Sequence, residues 1–220
     1  MSVAAHLGIT PGEYDKSIAA LIPHYFGLLD AAAAAVDVIA RTAPAVVDLG
    51  TGSGTLAMRI LRVRPKSRLI GIDEDAAMLS LAGKRLHNRI QTIEENFEQI
   101  QVPRCDVVAA SFSLHHVATG ARKAALYKRC FTSLRPGGML VSADCYLAAS
   151  GKVRQRHREA WLDHLKRKYT ARKAEQFLRA WAREDFYFTL DREIELMKDA
   201  GFATEVTWRK DSFAVLVGLK

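Results

Sequence analysis

One stretch restricts the fold more than any other: Val46-Val-Asp-Leu-Gly-Thr-Gly-Ser-Gly54. A short apolar run, 45–49, enters it as a buried strand would. A helix-like segment, Thr55–Val63, leaves it with Leu56, Ile60 and Val63 on one side. Glycines let a backbone turn tightly and let a ligand approach it closely. The helix that follows offers unpaired N–H groups at its start. The loop lacks the Lys of a phosphate-binding P-loop. A second run, 68–72, ends in Asp73 about 20 residues on, where a carboxylate can accept hydrogen bonds from both hydroxyls of a ribose.

The rest of the chain keeps the same rhythm. Asp75 can cap a helix running to Leu86. Weak strand character follows at 90–93 and strong strand character at 107–110. A helix over 122–134 meets the stop signal Pro136-Gly137-Gly138, and a fifth strand covers 139–143. Residues 191–200 read as helix, with strands at 202–208 and 213–218 joined by the polar turn Arg209-Lys210-Asp211. Strands alternating with helices predict an α/β fold, a Rossmann-like seven-stranded, mostly parallel sheet with helices on both faces. Two segments stand outside the rhythm. Residues 11–43 are helical, with Pro11 opening a helix and Pro23 breaking it, and predict an N-terminal helical cover. Residues 150–185 are helical and basic and predict a lid insertion after the fifth strand. Together they make one domain over 1–220.

Composition excludes several classes. No apolar run reaches the roughly 18–20 residues that span a bilayer; Asp30, Asp37 and Arg41 interrupt the Ala-rich stretch at 31–35. The N-terminus lacks the layout of a signal peptide, so a cytoplasmic protein without a membrane partner is expected. Three cysteines, Cys105, Cys130 and Cys145, form no CxxC pair, and an odd count argues against a disulfide framework. The net charge is +8, and it is concentrated. Between 150 and 185 eleven Lys and Arg face five Asp and Glu, which places six of the eight net charges there. Such a field favours an anionic partner.

Asp48 narrows the ligand. Its charge at the strand end would repel a pyrophosphate but suit a molecule carrying an ammonium and a sulfonium, as S-adenosylmethionine does. At this point the chain resembles the class I S-adenosylmethionine-dependent methyltransferases. The resemblance rests on 46–54, on Gly71-Ile-Asp73, on Asp106-Val-Val-Ala-Ala-Ser-Phe-Ser-Leu-His-His116 and on Leu134-Arg-Pro-Gly-Gly-Met-Leu140. It implies that Asp48 lies near the methionine ammonium and that Gly50, Thr51, Gly52 and Gly54 line the methionine and ribose. It implies that Asp73 holds the ribose hydroxyls and that Glu74 or Asp75 borders the adenine. Where the family often has Asp at the end of the third strand, this chain has Asn96, whose carbonyl can still accept from the adenine amine. Phe97 beside it could pack on the ring, and Ser111 ends the fourth strand at the cofactor edge. Tyr14-Asp15 with Ile22-Pro23-His24-Tyr25 is similar to small-molecule methyltransferases and to carboxy-S-adenosylmethionine synthases, which implies that Tyr14 reaches the methionine end. S-Adenosylhomocysteine would be the product.

His115 and His116 follow the fourth strand, and an imidazole there could take a proton from an acceptor; His115 is the candidate catalytic residue. No metal is expected, because adjacent side chains diverge and no third ligand is evident. The expected reaction is methyl transfer to O, N or C of a small molecule. Three alternatives stay open. One is an RNA methyltransferase using the basic helices, and another is an enzyme of the carboxy-S-adenosylmethionine synthase type. The third is a cofactor-binding protein without catalysis. The two closing strands could pair with a second copy, which leaves a homodimer open.

Overall fold

The computed structural model describes residues 10–220; the expectation about a leader at the extreme N-terminus falls outside them. Five parallel strands, β1 (Ala45–Leu49), β2 (Arg68–Asp73), β3 (Ile90–Glu94), β4 (Cys105–Ser111) and β5 (Leu134–Cys145), form most of one sheet. A closing hairpin, β6 (Ala203–Lys210) and β7 (Phe213–Leu219), completes it. The order is β3-β2-β1-β4-β5-β7-β6, with β7 antiparallel to both of its neighbours. The chain builds outward from β1 to β3 and then returns to place β4 on the other side of β1. The order reverses between β1 and β4, and a crevice opens there at the carboxyl ends of the strands.

Strand alternation divides the core into two layers. Val107 and Ala109 of β4 join Val46, Val141 and Val215 beneath α1 (Pro11–Leu21), α2 (Tyr25–Val36) and α3 (Thr55–Val63). Val108 and Ala110 join Val47, Leu140 and Leu216 beneath α5 (Gly120–Ser133) and α8 (Leu190–Asp199). Between β2 and β3 runs α4 (Ala76–Arg85). The basic segment forms two helices, α6 (Gly151–Lys166) and α7 (Ala171–Glu184). Their starts follow from side-chain caps. Asp75 accepts from the N–H groups of Ala77 and Met78 at α4. Thr119, Thr170 and Thr189 do the same for α5, α7 and α8.

The seven-stranded architecture is the one the sequence predicts, but several boundaries differ. Of the segment 11–43 read as helical, α2 ends at Val36 and 37–43 are turns and irregular chain. α5 stops at Ser133, and β5 begins at Leu134, so Pro136-Gly137-Gly138 lies within the strand rather than ending the helix. Leu134 is fully buried and pairs with Cys105, and the ladder shifts register before Val107. Pro136 gives no N–H to a ladder, and a bulge tolerates that. A Cβ on Gly138 would sit 2.7 Å from the Asp106 carbonyl oxygen. The closing turn falls at Asp211-Ser212 instead of at 209–211. Asp211 has φ 52° there, a left-handed geometry that Asp accepts more readily than most residues. All three cysteines are free and buried.

α5 and α8 are tied by charge inside the core. Lys123 Nζ lies 3.0 Å from Glu193 Oε1, and the Tyr127 hydroxyl also donates to that carboxylate; the three side chains are almost wholly buried. Removing one partner of a buried pair strands the other charge. Lys123→Met should therefore lower stability by about 3–5 kcal/mol, read as a urea midpoint shift. Lys123→Met with Glu193→Met should recover most of that loss.

Candidate functional site

A cavity of about 610 Å3 opens at the carboxyl edge of the sheet. The glycine loop forms its floor. Gly50, Gly52 and Gly54 have φ of 66°, 53° and 76°, where side chains are strained. At Gly50 there is also no room, since a Cβ would sit 2.4 Å from Ser113 Cβ. The N–H groups of Gly50 and Thr51 both donate to the Ile72 carbonyl, at 2.8 and 3.0 Å, which ties the loop to β2.

Asp73 fixes the loop from the other side. Its Oδ2 accepts from the Gly52 N–H at 2.8 Å and its Oδ1 from the Asp75 N–H at 3.0 Å. Each oxygen retains a lone pair for a ligand, and Asp73 lines the cavity. Burial raises its pKa, against the pull of those two N–H groups. Next along the rim, Asn96 Nδ2 donates to Glu74 Oε2 at 3.2 Å, while Asn96 Oδ1 accepts from the Glu98 N–H at 2.8 Å. Phe97 approaches Gly50, and Ser111 and Thr51 also line the wall. Two predicted cofactor residues lie elsewhere. A Cβ on Gly54 would meet Leu86 and Ala82, so this glycine serves the close packing of α4 on the loop. Asp48 sits beneath the loop, 1 % exposed. Its Oδ2 accepts from the Thr51 hydroxyl at 2.8 Å, and its Oδ1 has no hydrogen-bond partner among the described residues.

The N-terminal helices close over this floor. Tyr14, Ile18 and Tyr25 line the cavity. Asp15 on α1 is gripped by Arg85 from α4, and it accepts from Ser53 Oγ in the loop at 2.8 Å. Burial raises the Tyr14 hydroxyl well above its ordinary pKa, so it is a neutral donor at physiological pH.

The far wall carries the histidines. A 3-10 turn, Leu114–His116, follows β4. His115 Nδ1 lies 2.6 Å from Asp144 Oδ1, near the end of β5, and the His115 N–H donates to Asp144 Oδ2 at 3.2 Å. Its Nε2 lies 3.7 Å from Asp185 Oδ1, and its ring lies 5.3 Å from that of Tyr187. Burial opposes charging the imidazole, but Asp144 and Asp185 outweigh it and raise the His115 pKa. Asp144, Asp185 and the aromatic pair Tyr25 and Phe112, stacked 5.7 Å apart, were not singled out by the sequence. Asp144 carried the available signal: like Asp48 and Asp73, it is a lone carboxylate at the end of an apolar strand.

The basic helices are two-sided. Trp161 and Trp181 line the cavity, and the Trp161 N–H donates to the Leu21 carbonyl at 2.8 Å. Phe177 stacks on Trp181 at 5.5 Å. Among the eleven Lys and Arg of this segment only Arg183 belongs to the lining.

This strand order with a cofactor-type loop after β1 defines the class I S-adenosylmethionine-dependent methyltransferase fold. The comparisons agree. Residues 46–138 match the family model described as a methyltransferase domain. A carboxy-S-adenosyl-L-methionine synthase from Nautilia profundicola is 23% identical over 180 residues, 80% of this chain and 76% of that protein. Among solved structures, a proposed O-methyltransferase from Nostoc punctiforme superimposes with TM-score 0.63 at 18% identity, over 88% of this chain and 57% of the other. Human N-acetylserotonin methyltransferase, solved in complex with SAM, gives 0.60 at 17%, over 100% of this chain and 60% of the other. The chain thus spans less than two thirds of either solved relative.

The Asp48 carboxylate yields a pH prediction. Burial pushes its pKa up to about 7, against the Thr51 hydrogen bond, while an unfolded Asp titrates near 3.9. Between those values the native state holds a proton that the unfolded chain has released, so stability falls as pH rises through roughly 4 to 7. Asp48→Asn cannot ionise. The ligand-free variant should match the parent near pH 4 and exceed it at pH 8 by roughly 2–4 kcal/mol, measured by urea unfolding across that range.

Proposed function

We propose that this protein is an S-adenosylmethionine-dependent methyltransferase acting on a hydroxyl of a small, uncharged, aromatic acceptor. The observation that carries the reading is His115, oriented by Asp144 in the wall of an aromatic cavity whose floor is the glycine loop. The residues present suit the cofactor. Asp73 would hold the ribose hydroxyls, with Glu74, Asn96 and Phe97 around the adenine. Asp48 lies beneath the loop and outside the lining, so any effect of it on the ammonium group would pass through the loop rather than by direct contact. Tyr14 on the cover would close the methionine end. The bound cofactor supplies an electrophilic methyl group. The protein contributes alignment, the main requirement of an in-line displacement, and a proton acceptor for the hydroxyl. Asp144 accepts a hydrogen bond from the His115 Nδ1–H and so leaves the Nε2 lone pair on the side of Asp185. When His115 gains the acceptor's proton, Asp144 and Asp185 offset its charge.

The lining favours an uncharged acceptor over an anionic one. Asp73, Glu74, Glu98, Glu184 and Asp185 face Arg183 there, and the other cations of the insertion lie outside the lining. We read 11–43 as a cover and 150–185 as a lid whose inner side is aromatic. Turned inward, Trp161 and Trp181 are not offered for stacking on RNA, which disfavours that alternative. β6 ends the sheet with Val206 exposed, and a homodimer would form there. Free thiols suit the cytoplasm.

The Nautilia relative supports a second reading, modification of the cofactor itself. Arg183 would then face the added carboxylate. Mass spectrometry of the nucleoside bound to purified protein separates the two, since only the second reading adds a carboxyl group.

Asp73→Ala should weaken S-adenosylmethionine binding by about 100-fold or more, as charge-assisted ribose contacts are lost; unchanged affinity by calorimetry would remove Asp73 from the site. His115→Ala should lower kcat by roughly 100-fold or more with cofactor affinity kept. The base must be neutral, so kcat should rise with pH through a raised pKa and then level off. Asp144→Asn removes a cause of that elevation, and the rising limb should move to lower pH while the plateau falls.

A further inference from the structure

The 3-10 turn after β4 does something the sequence does not suggest for adjacent histidines: it brings both rings to one side, with centroids 4.1 Å apart. Asp185, from the end of the insertion, meets them. Its Oδ1 lies 3.5 Å from His116 Nδ1 and 3.7 Å from His115 Nε2. Both separations exceed the 2.7–3.2 Å of ordinary N–H···O hydrogen bonds. They match the distance between neighbouring ligand atoms that each stand about 2.0–2.2 Å from a metal. Ligand atoms from the three residues all lie within 4.8 Å of one another.

We propose that His115, His116 and Asp185 form a binding site for one divalent first-row transition-metal ion. Two histidines and one carboxylate, with remaining positions open to the cavity, suit zinc, cobalt or ferrous iron better than magnesium. The surroundings fit. Asp144 accepts from His115 Nδ1 and so presents Nε2 as the ligand atom, the carboxylate–histidine arrangement that orients metal-bound imidazoles. The Tyr187 hydroxyl donates to Asp185 Oδ2, which leaves Oδ1 toward the histidines. The cation would lie in the same cavity as the acceptor. There it would lower the pKa of a coordinated hydroxyl as a Lewis acid; His115 Nε2, then engaged as a ligand, would act as the base only in the metal-free protein. This function for the ion rests on the methyl-transfer reading; the site itself does not.

The test uses full-length protein stripped of metal and titrated with Co2+, without S-adenosylmethionine or acceptor. The expected result is one equivalent bound, with visible absorption stronger than that of aqueous Co2+, and its bleaching by Zn2+. Asp144→Asn should weaken binding by about 10–100-fold, as loss of an orienting carboxylate does. His116→Ala should weaken it at least as much. The His116 side chain is 39% exposed, so its loss spares the core even if Asp185→Asn proves unstable. An aqueous cobalt spectrum at saturation, or wild-type affinity in His116→Ala, would overturn the site. Failure of the methyl-transfer reading would appear separately, as absent S-adenosylmethionine binding by calorimetry.

Discussion

Everything at the ligand edge depends on one carboxylate receiving two backbone N–H groups. Asp73 holds Gly52 on one side and Asp75 on the other. The first bond fixes the glycine loop and the second sets the residue that caps α4. The cost is visible in Asp73 itself, whose pKa burial raises against those two donors. A carboxylate that is half desolvated and half solvated by fixed dipoles is a ready acceptor for hydroxyls arriving as a pair. Asp48 lies on the opposite side of this balance. It is buried beneath the same loop, with one oxygen unpaired and a pKa near neutrality.

The parallel sheet was legible in the sequence because its strands are short, apolar and punctuated. Asp48, Asp73 and Ser111 end their strands where an open α/β sheet presents ligand groups, and the structure puts Asp73 and Ser111 on the cavity wall. β5 was harder to delimit. Pro136-Gly137-Gly138 carries the local signal of a helix stop, yet the burial of Leu134 and its pairing with Cys105 start the strand two residues in front of the proline. Tertiary contact overrode a local rule there. The glycines illustrate a second limit: Gly50 and Gly54 look alike in the motif, but one faces a ligand cavity and the other faces Ala82 and Leu86. Sequence spacing gives their backbone freedom, not their direction.

The far wall was the least legible part. Asp144 and Asp185 come from segments about 40 residues apart, and neither belongs to a pattern of its own. His115 and His116 could be read only as a pair at a strand end; the 3-10 turn that brings their rings together has no strong sequence mark. The insertion misled in another way. Its composition advertises charge, and ten of its eleven cations lie outside the cavity lining, while Trp161 and Trp181, with Phe186 and Tyr187 just beyond it, shape the cavity. The four aromatics of that segment, Trp161, Tyr169, Phe177 and Trp181, were the better guide to its role than its eleven cations.

Trp161 gives its indole N–H to the last carbonyl of α1, and His164 on the same helix lies 3.1 Å from the Ala19 carbonyl oxygen. The cover and the insertion are therefore latched to each other, while Asp15 and Arg85 fasten the cover to α4. Parting α1 from α6 would break both of these hydrogen bonds. Under the proposed reading, a motion that uncovers the glycine loop would also disturb the wall that carries His115, so a single opening would serve both ligands. In such a molecule the departure of one spent ligand and the admission of the next fresh one become a shared, gated event rather than separate exchanges.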